Sequence, residues 1–446
     1  MNKIALFFYN LLFFPLLLIL LPGYLLRMVR RGGYQQKAAQ RFGHFDQQTL
    51  SRIGKGRLWI HAASVGEVGI ALKFISNYRI LNPAVTDGQQ RPGKQSHFLL
   101  SVTTSTGLAI AERHSSDFLE VIANPVDFPL FTNHLVIKFN PSALLFVEAD
   151  LWPNRIAAAR KLGIPVILLN ARLSVRSERR FRMAKMITAP FFNSLSRIIL
   201  TEPEDRERWC SLGVRPDLLH LAGNIKYDST LPAQTGTLTL PKSLGSSAKD
   251  PLFLAASTHE GEEVEIVRAY LLARNTHPTL RLVIAPRHVE RRAAILESLH
   301  SLRLTVNLRS KNEIGYADVL LLDTTGELAS WYPLATVVFV GKSLTCSVNH
   351  GGQNMIEPLQ AGTPVLIGPH TSNFEPLATR LCEAGAALRV SNAKDIVSAL
   401  HQLLSNPSQR KAMILSANSV LASHQGATTR SCEFVHQMLQ PSIFGL

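Results

Sequence analysis

Residues 337–369 read VVFVGKSLTCSVNHGGQNMIEPLQAGTPVLIGP, and this stretch decides the fold class. Val337, Val338, Phe339 and Val340 form a short apolar run ending at Gly341, the pattern of a strand buried on both faces of a parallel sheet. Gly351 and Gly352 let the backbone pass close to a ligand, and Asn354, Met355, Ile356 and Glu357 are predicted to open a helix. The free N–H groups and positive dipole end of such a helix suit a phosphate, and Glu357, one turn in, is placed to accept hydrogen bonds from ribose hydroxyls. A capping box between Asn354 and Glu357 explains the same pair equally well. Gly362 and Pro364 stop the helix, and Val365, Leu366 and Ile367 start the next strand. Strand, helix and parallel strand together make a nucleotide-binding α/β unit, which points first to a sugar-nucleotide enzyme.

Similar apolar runs recur on both sides of this stretch. Residues 58–60, 98–102, 144–147 and 165–169 alternate with helical stretches, as do residues 252–256, 281–285 and 319–322. This predicts two doubly wound parallel sheets covered by helices. Between the two series, Leu231 to Asp250 shifts to Thr, Ser, Pro, Gly and Lys with little periodicity, the composition of a linker. The expected organisation is a membrane anchor over 1–26, an N-terminal Rossmann-like domain over 27–230, a linker over 231–250 and a C-terminal Rossmann-like domain over 251–446. The last helices are able to pack back on the first domain. Ligands of open α/β sheets bind at the carboxyl ends of the strands, so a cleft between the domains is the expected site. Val85 to Ser96 is a polar surface insertion with no chemistry assigned to it.

At the N-terminus, Ile4 to Leu21 is apolar apart from Asn10, about the minimum length for a bilayer span. No small-x-small cleavage site follows, which favours an uncleaved anchor over a signal peptide. Pro15 and Pro22 keep a shallow interfacial insertion open as the alternative. The stretch shows no polar face for packing on a domain, so anchoring is expected to be separable from catalysis. Arg27, Arg30, Arg31, Lys37 and Arg41 follow it, and the positive-inside bias puts the catalytic body in the cytoplasm. The chain carries 47 Lys plus Arg against 32 Asp plus Glu, an excess that asks for an acidic partner. Arg172, Arg176, Arg179, Arg180, Arg182 and Lys185 form the densest basic cluster. It has too little aromatic interleaving for nucleic acid, and a solvated helix face explains it equally well; the anchor argues for anionic lipid as the acidic partner, with no nucleic-acid partner. Cys210, Cys346, Cys382 and Cys432 are scattered without a C-x-x-C pair, which suggests neither a zinc site nor a disulfide framework.

Loops that follow strands are where this architecture places reactive groups. In HAASVGE (61–67) small residues surround one acid, making Glu67 a candidate general base; a charge at a helix N-terminus is the plainer explanation. At the next strand end, Glu148 and Asp150 are two apart, so only one can face the cleft if the chain is extended. In the second half, AASTHEGE (255–262) suits phosphate, with Ser257 as an ordinary N-cap the equal alternative. APRH (285–288) ends a strand with Arg287, which can offer paired donors to a phosphate or a pyrimidine edge. TGEL (325–328) repeats the arrangement. Neither a Walker lysine motif nor G-x-G-x-x-G occurs, which disfavours ATP hydrolysis and hydride transfer.

HAASVGE, EADLWPN (148–154), NARLS (170–174), GNIKYD (223–228), APRH, TGEL and GGQNMIEP (351–358) follow one another in this order. In this the chain closely resembles the 3-deoxy-D-manno-octulosonic acid (Kdo) transferases, from the anchor to about residue 380. The resemblance implies an α/β protein of GT-B type, with an acceptor-binding N-terminal and a CMP-sugar-binding C-terminal Rossmann-like domain and an N-terminal anchor in the bacterial inner membrane. It implies inverting, metal-independent transfer of Kdo from CMP-Kdo to the lipid A precursor, lipid IVA, in lipopolysaccharide assembly. On this chain the family's proton acceptor falls on Glu67, and Glu148 and Lys226 match positions that stabilise the transition state. Pro286, Arg287, Thr325, Gly326, Glu327 and Asn354, Met355, Ile356 and Glu357 match the donor-nucleotide site. No cofactor beyond the donor substrate is implied. The family's usual ETELWP is EADLWP here, so Ala149 lacks a hydroxyl and Asp150 carries a shorter carboxylate, and no role is assigned to Asp150. The segment Thr345 to His350 and the insertion near residue 90 also depart from the family pattern. Rival readings are another GT-B glycosyltransferase, a sugar-nucleotide epimerase, and a catalytically silent membrane scaffold. The anchor and the Glu67 loop argue against the epimerase, and the retained acids and cations against the scaffold.

Overall fold

The computed structural model describes residues 6–11, 37–82, 98–148, 151–173, 175–228, 250–311, 316–345 and 351–440. Outside them lie most of the apolar N-terminal stretch, Arg27, Arg30, Arg31, the insertion Val85 to Ser96, Ala149, Asp150, the linker as far as residue 249, and residues 346–350.

Among the described residues the strands form two seven-stranded parallel sheets. The first holds β1 (Leu58–Ala62), β2 (Phe98–Val102), β3 (Leu119–Ala123), β4 (Ala143–Val147), β5 (Val166–Ala171), β6 (Arg197–Leu200) and β7 (Leu219–Leu221), in the order β3-β2-β1-β4-β5-β6-β7. The second holds β8 (Leu252–Thr258), β9 (Arg281–Pro286), β10 (Val306–Leu308), β11 (Val319–Leu321), β12 (Val337–Val340), β13 (Val365–Ile367) and β14 (Ala387–Arg389), in the order β10-β11-β9-β8-β12-β13-β14. β1 to β5 are buried along their whole length, which is why they read as continuous apolar runs rather than as alternating ones. Leu58 and Ile60 face a core shared with Phe74 and Tyr78 of the helix Val65–Leu81, while Trp59 and Phe146 face the opposite layer.

The chain divides into two compact units, Met1–Asp228 with His424–Leu446, and Ser229–Ser423. The return at His424 is built by the helix Ala427–Leu439, which packs on Val65–Leu81 and brings Cys432 and Val435 into the first unit's core. Asp228 caps it, accepting from Gly426 N–H at 2.7 Å and Thr428 N–H at 2.6 Å, where a carboxylate meets the positive end of the helix. Strand order reverses between β1 and β4 in the first sheet and between β8 and β12 in the second. These are the topological switch points, the crevices where open α/β sheets bind ligands.

No helix among the described residues is long and apolar enough to cross a membrane. The expectation that the N-terminal stretch has no polar face needs correcting. Residues 6–11 are helical, Tyr9 donates through its hydroxyl to Asp127 Oδ2 at 3.2 Å, and Asn10 and Asn154 exchange side-chain amide hydrogen bonds at 3.1 and 2.8 Å. Asp127 is fully buried, and burial raises its pKa against the opposing charge of Arg155. It also accepts from the N–H groups of Asn154 and Arg155, at 2.8 and 3.0 Å, and from the Thr132 hydroxyl at 3.4 Å. Tyr9 and Asn10 thus pin residues 6–11 to the first unit. Deleting residues 1–26 removes these bonds at about 0.5–1.5 kcal/mol each, so a folded protein is expected with a Tm lowered by a few degrees. Calorimetry checks this, and an unchanged or raised Tm would contradict the clamp.

Candidate functional site

The first unit gathers three of the predicted residues at its switch point. Beyond β1, Ser64 is the N-cap of Val65–Leu81, and its hydroxyl oxygen accepts from Glu67 N–H at 3.3 Å. The Glu67 carboxylate reaches back, accepting from Ala63 N–H at 2.7 Å and from the Ser64 hydroxyl at 3.0 Å. The plainer role is therefore real: Glu67 closes a capping box. A carboxylate oxygen can accept two hydrogen bonds, so capping does not use up its capacity to take a proton, and it holds the side chain in one orientation.

Glu148 follows β4 directly, in the left-handed region at φ 61°. Its carboxylate accepts from Lys226 Nζ at 2.7 Å, a partly buried ion pair. The same ammonium lies 3.6 Å from where a Cβ on Gly66 would stand, against the start of the Glu67 helix. Residues far apart in sequence thus meet in one place. Four hydrogen bonds hold the loop that carries Lys226. Ile225 N–H donates to Asn170 Oδ1 at 2.9 Å, Lys226 N–H donates to Asn224 Oδ1 at 3.0 Å, and Lys73 Nζ donates to the carbonyls of Ile225 and Asp228. Burial lowers the Lys73 pKa, opposed by the Asp228 charge.

Sequence reasoning missed the layer beneath. His61 is fully buried, and its Nε2 accepts from Trp152 Nε1–H at 2.9 Å, so the ring's proton sits on Nδ1 and faces Ser101 Oγ at 3.1 Å. The Ser101 hydroxyl also accepts from Trp59 Nε1–H at 3.0 Å. His61 thereby ties the β1 loop to Trp152, four residues beyond Glu148. The signal available in sequence was a histidine inside an otherwise apolar strand, which demands partners.

In the second unit the predicted residues line the carboxyl edge of one sheet, in three loops. Pro286 ends β9 and is buried, and Arg287 is exposed, with its N–H bonded to Thr258 O at 3.0 Å. Thr325 and Gly326 form an exposed tip after β11, with Gly326 at φ 90°. Glu327 is already paired within its own unit. Arg309 Nε donates to both its oxygens, at 3.1 and 3.3 Å, and the Thr324 hydroxyl donates to Oε1.

The opening motif differs most from its prediction. The helix has only five residues, Ile356–Gln360, begins after Met355 and contains Pro358, so its dipole is small. Ile356 N–H is already taken by Asn354 Oδ1 at 3.0 Å, and Asn354 Nδ2 donates to Glu357 Oε1 at 2.8 Å. Met355 and Ile356 are buried, leaving Asn354 and Glu357 as the polar groups; burial raises the Glu357 pKa, with the Asn354 bond opposing. The N–H groups of Gly351 and Gly352 point to Lys342 O, at 3.1 and 2.8 Å, rather than to a ligand. Ser257 is not an N-cap: Gly261 holds that position at φ 87°, while Ser257 sits at φ 56°. Among the described residues no group of three or more His, Cys, Asp or Glu side chains is arranged to hold a metal ion.

A family model described as 3-deoxy-D-manno-octulosonic-acid transferase (kdotransferase) matches residues 36–229. The Bordetella pertussis protein named 3-deoxy-D-manno-octulosonic acid transferase is 33% identical over 426 residues, 93% of this chain and 95% of that protein. This chain belongs to the Kdo transferase family. A second Kdo transferase, from Haemophilus influenzae, is 32% identical over 98% of this chain and 99% of its own length. Family membership supports Kdo glycosyl transfer. The solved UDP-GlcNAc 2-epimerase from Neisseria meningitidis superposes with a TM-score of 0.56 at 14% identity, covering 86% of this chain and 99% of that one. At that identity the likeness speaks for the GT-B-like fold alone, which the epimerase rival shares. In this Kdo transferase the cluster of Glu67, Glu148 and Lys226 lies wholly in the first unit, and the residues matching the family's donor site lie wholly in the second.

Proposed function

We propose that this protein transfers Kdo from CMP-Kdo to the lipid A precursor, lipid IVA, with inversion at the anomeric carbon and without a metal. The observation that carries the reading is the Glu67 carboxylate, fixed by its cap at a switch point with the Lys226 ammonium beside it. Glu67 takes the proton of an acceptor hydroxyl as that oxygen bonds to the anomeric carbon, and the bond from that carbon to the phosphate oxygen breaks on the opposite face. Proton removal of this kind is worth ~100- to 10,000-fold. Lys226, oriented by Glu148, meets the negative charge that develops as the bond breaks.

The nucleotide is held by the second unit, through Pro286, Arg287, Thr325, Gly326, Glu327 and the segment Asn354 to Glu357. Arg287 is the exposed cation of this set and suits a phosphate, and Glu357 suits ribose hydroxyls. The acceptor is drawn from the inner membrane on its cytoplasmic side. Support for a lipid surface comes from the helices Val175–Met183 and Lys185–Phe192, where exposed Met183, Met186 and Ile187 stand among exposed Arg179, Arg180, Arg182 and Lys185. Apolar side chains ringed by cations match the boundary between acyl chains and anionic headgroups.

The test is the configuration of the new linkage. NMR of the product is expected to show Kdo inverted relative to CMP-Kdo, with the rate unchanged by a chelator. Retention would require a double displacement or attack on the face the leaving group departs from and would overturn the inverting reading, and a rate lost in EDTA and restored by magnesium would overturn the metal-free reading.

A further inference from the structure

Lys342 is the first non-glycine residue beyond β12, beside the switch point of the second sheet, and its backbone is left-handed at φ 61°. That conformation is costly for a side chain of this kind and persists only where the surroundings impose it. Here they do so from both sides. Glu262, fully buried, accepts four N–H groups: Lys342 and His259 on Oε2, each at 2.8 Å, and Ser343 and Leu344 on Oε1, each at 2.9 Å. The Lys342 carbonyl takes the N–H groups of Gly351 and Gly352. Gly341, before it, lies so close to the β8 loop that a Cβ would stand 2.5 Å from Ser257 O. Ser343 closes the turn, donating through its hydroxyl to Val340 O and accepting Gly368 N–H at 2.8 Å.

All this machinery holds a lysine where glycine would be relaxed, and among the described residues the ammonium makes no ion pair or hydrogen bond. His259 and His288 pack edge to face nearby, with ring centroids 5.8 Å apart. Burial lowers the His259 pKa, opposed by its bond to Ser257 O and by the Glu262 charge, and the Lys342 ammonium is among the charges this ring feels. The first sheet offers a parallel. Glu148, also at φ 61°, follows the matching strand at its switch point and enters the proposed chemistry.

We infer that Lys342 is a further donor-binding residue, its ammonium taking an anionic group of the sugar nucleotide, either the phosphate or the sugar carboxylate. The inference rests on the CMP-Kdo reading of the second unit. The test uses full-length protein carrying Lys342→Gly, Lys342→Asn or Lys342→Arg, with Kd for CMP by calorimetry, KM for CMP-Kdo and Tm measured on each. Gly and Asn both tolerate the left-handed backbone, so Tm is expected to hold or rise while donor affinity falls about tenfold or more. Arg, which keeps the charge, is expected to retain most of the affinity. Loss with both ligands assigns the phosphate, and loss with CMP-Kdo alone assigns the carboxylate. Affinity for both ligands within about twofold of wild type in the Gly and Asn variants would overturn the inference and leave the donor reading standing. Wild-type protein that binds neither ligand would sink the donor reading, and the inference with it.

Discussion

Glu67→Gln is expected to lower kcat for Kdo transfer by ~100- to 10,000-fold while leaving Tm within a few degrees and the Kd for CMP unchanged. The substitution separates the cap that the structure shows from the base that we propose. Gln serves at this position of a capping box as well as Glu does, so the start of the helix stays closed. An amide cannot take the acceptor's proton, so the chemical step alone suffers. Glu67→Ala, in contrast, removes both roles and is expected to cost a further ~0.5–2 kcal/mol of stability. A Gln variant turning over within a few-fold of wild type would reduce Glu67 to a cap.

The second large effect is expected at Lys226. Lys226→Ala should cut kcat by ~100- to 1,000-fold with a smaller change in KM, the signature of a group that acts on developing charge rather than on bound substrate. Glu148 is argued to act through Lys226, which it grips at 2.7 Å. Glu148→Gln should therefore lower kcat less than Lys226→Ala does, and the double variant should be about as slow as Lys226→Ala alone. Additive losses in that cycle would mean that Glu148 has a function independent of the lysine.

How much of this was legible in the chain differs from one element to the next. The strands were, because a strand buried on both faces must be a continuous apolar run, and Val337 to Val340 and Leu144 to Val147 are such runs. Glu67 was legible from the small residues around it and the strand before it. What those signals could not separate was base from cap, since both want an acid at the same position, and the structure shows the cap in place. Lys226 entered through family resemblance. Its partner lies 78 positions away, and the contact depends on how β4 and the turn after β7 are brought together. The glycine pair was legible as a special backbone position, and Gly351 and Gly352 do have positive φ, but the sequence cannot show that their N–H groups go to the carbonyl of Lys342. Glu262 escaped notice because an acid at the start of a helix is common, and its burial under four N–H groups is visible only once β8 and β12 lie side by side.

The most direct measurement is the intact mass of the acceptor after incubation of the wild-type protein with CMP-Kdo and detergent-dispersed lipid IVA. The account predicts an acceptor heavier by one or more whole Kdo residues, with one CMP released for each residue added. An acceptor of unchanged mass, or a donor converted to an epimer without transfer, would contradict it.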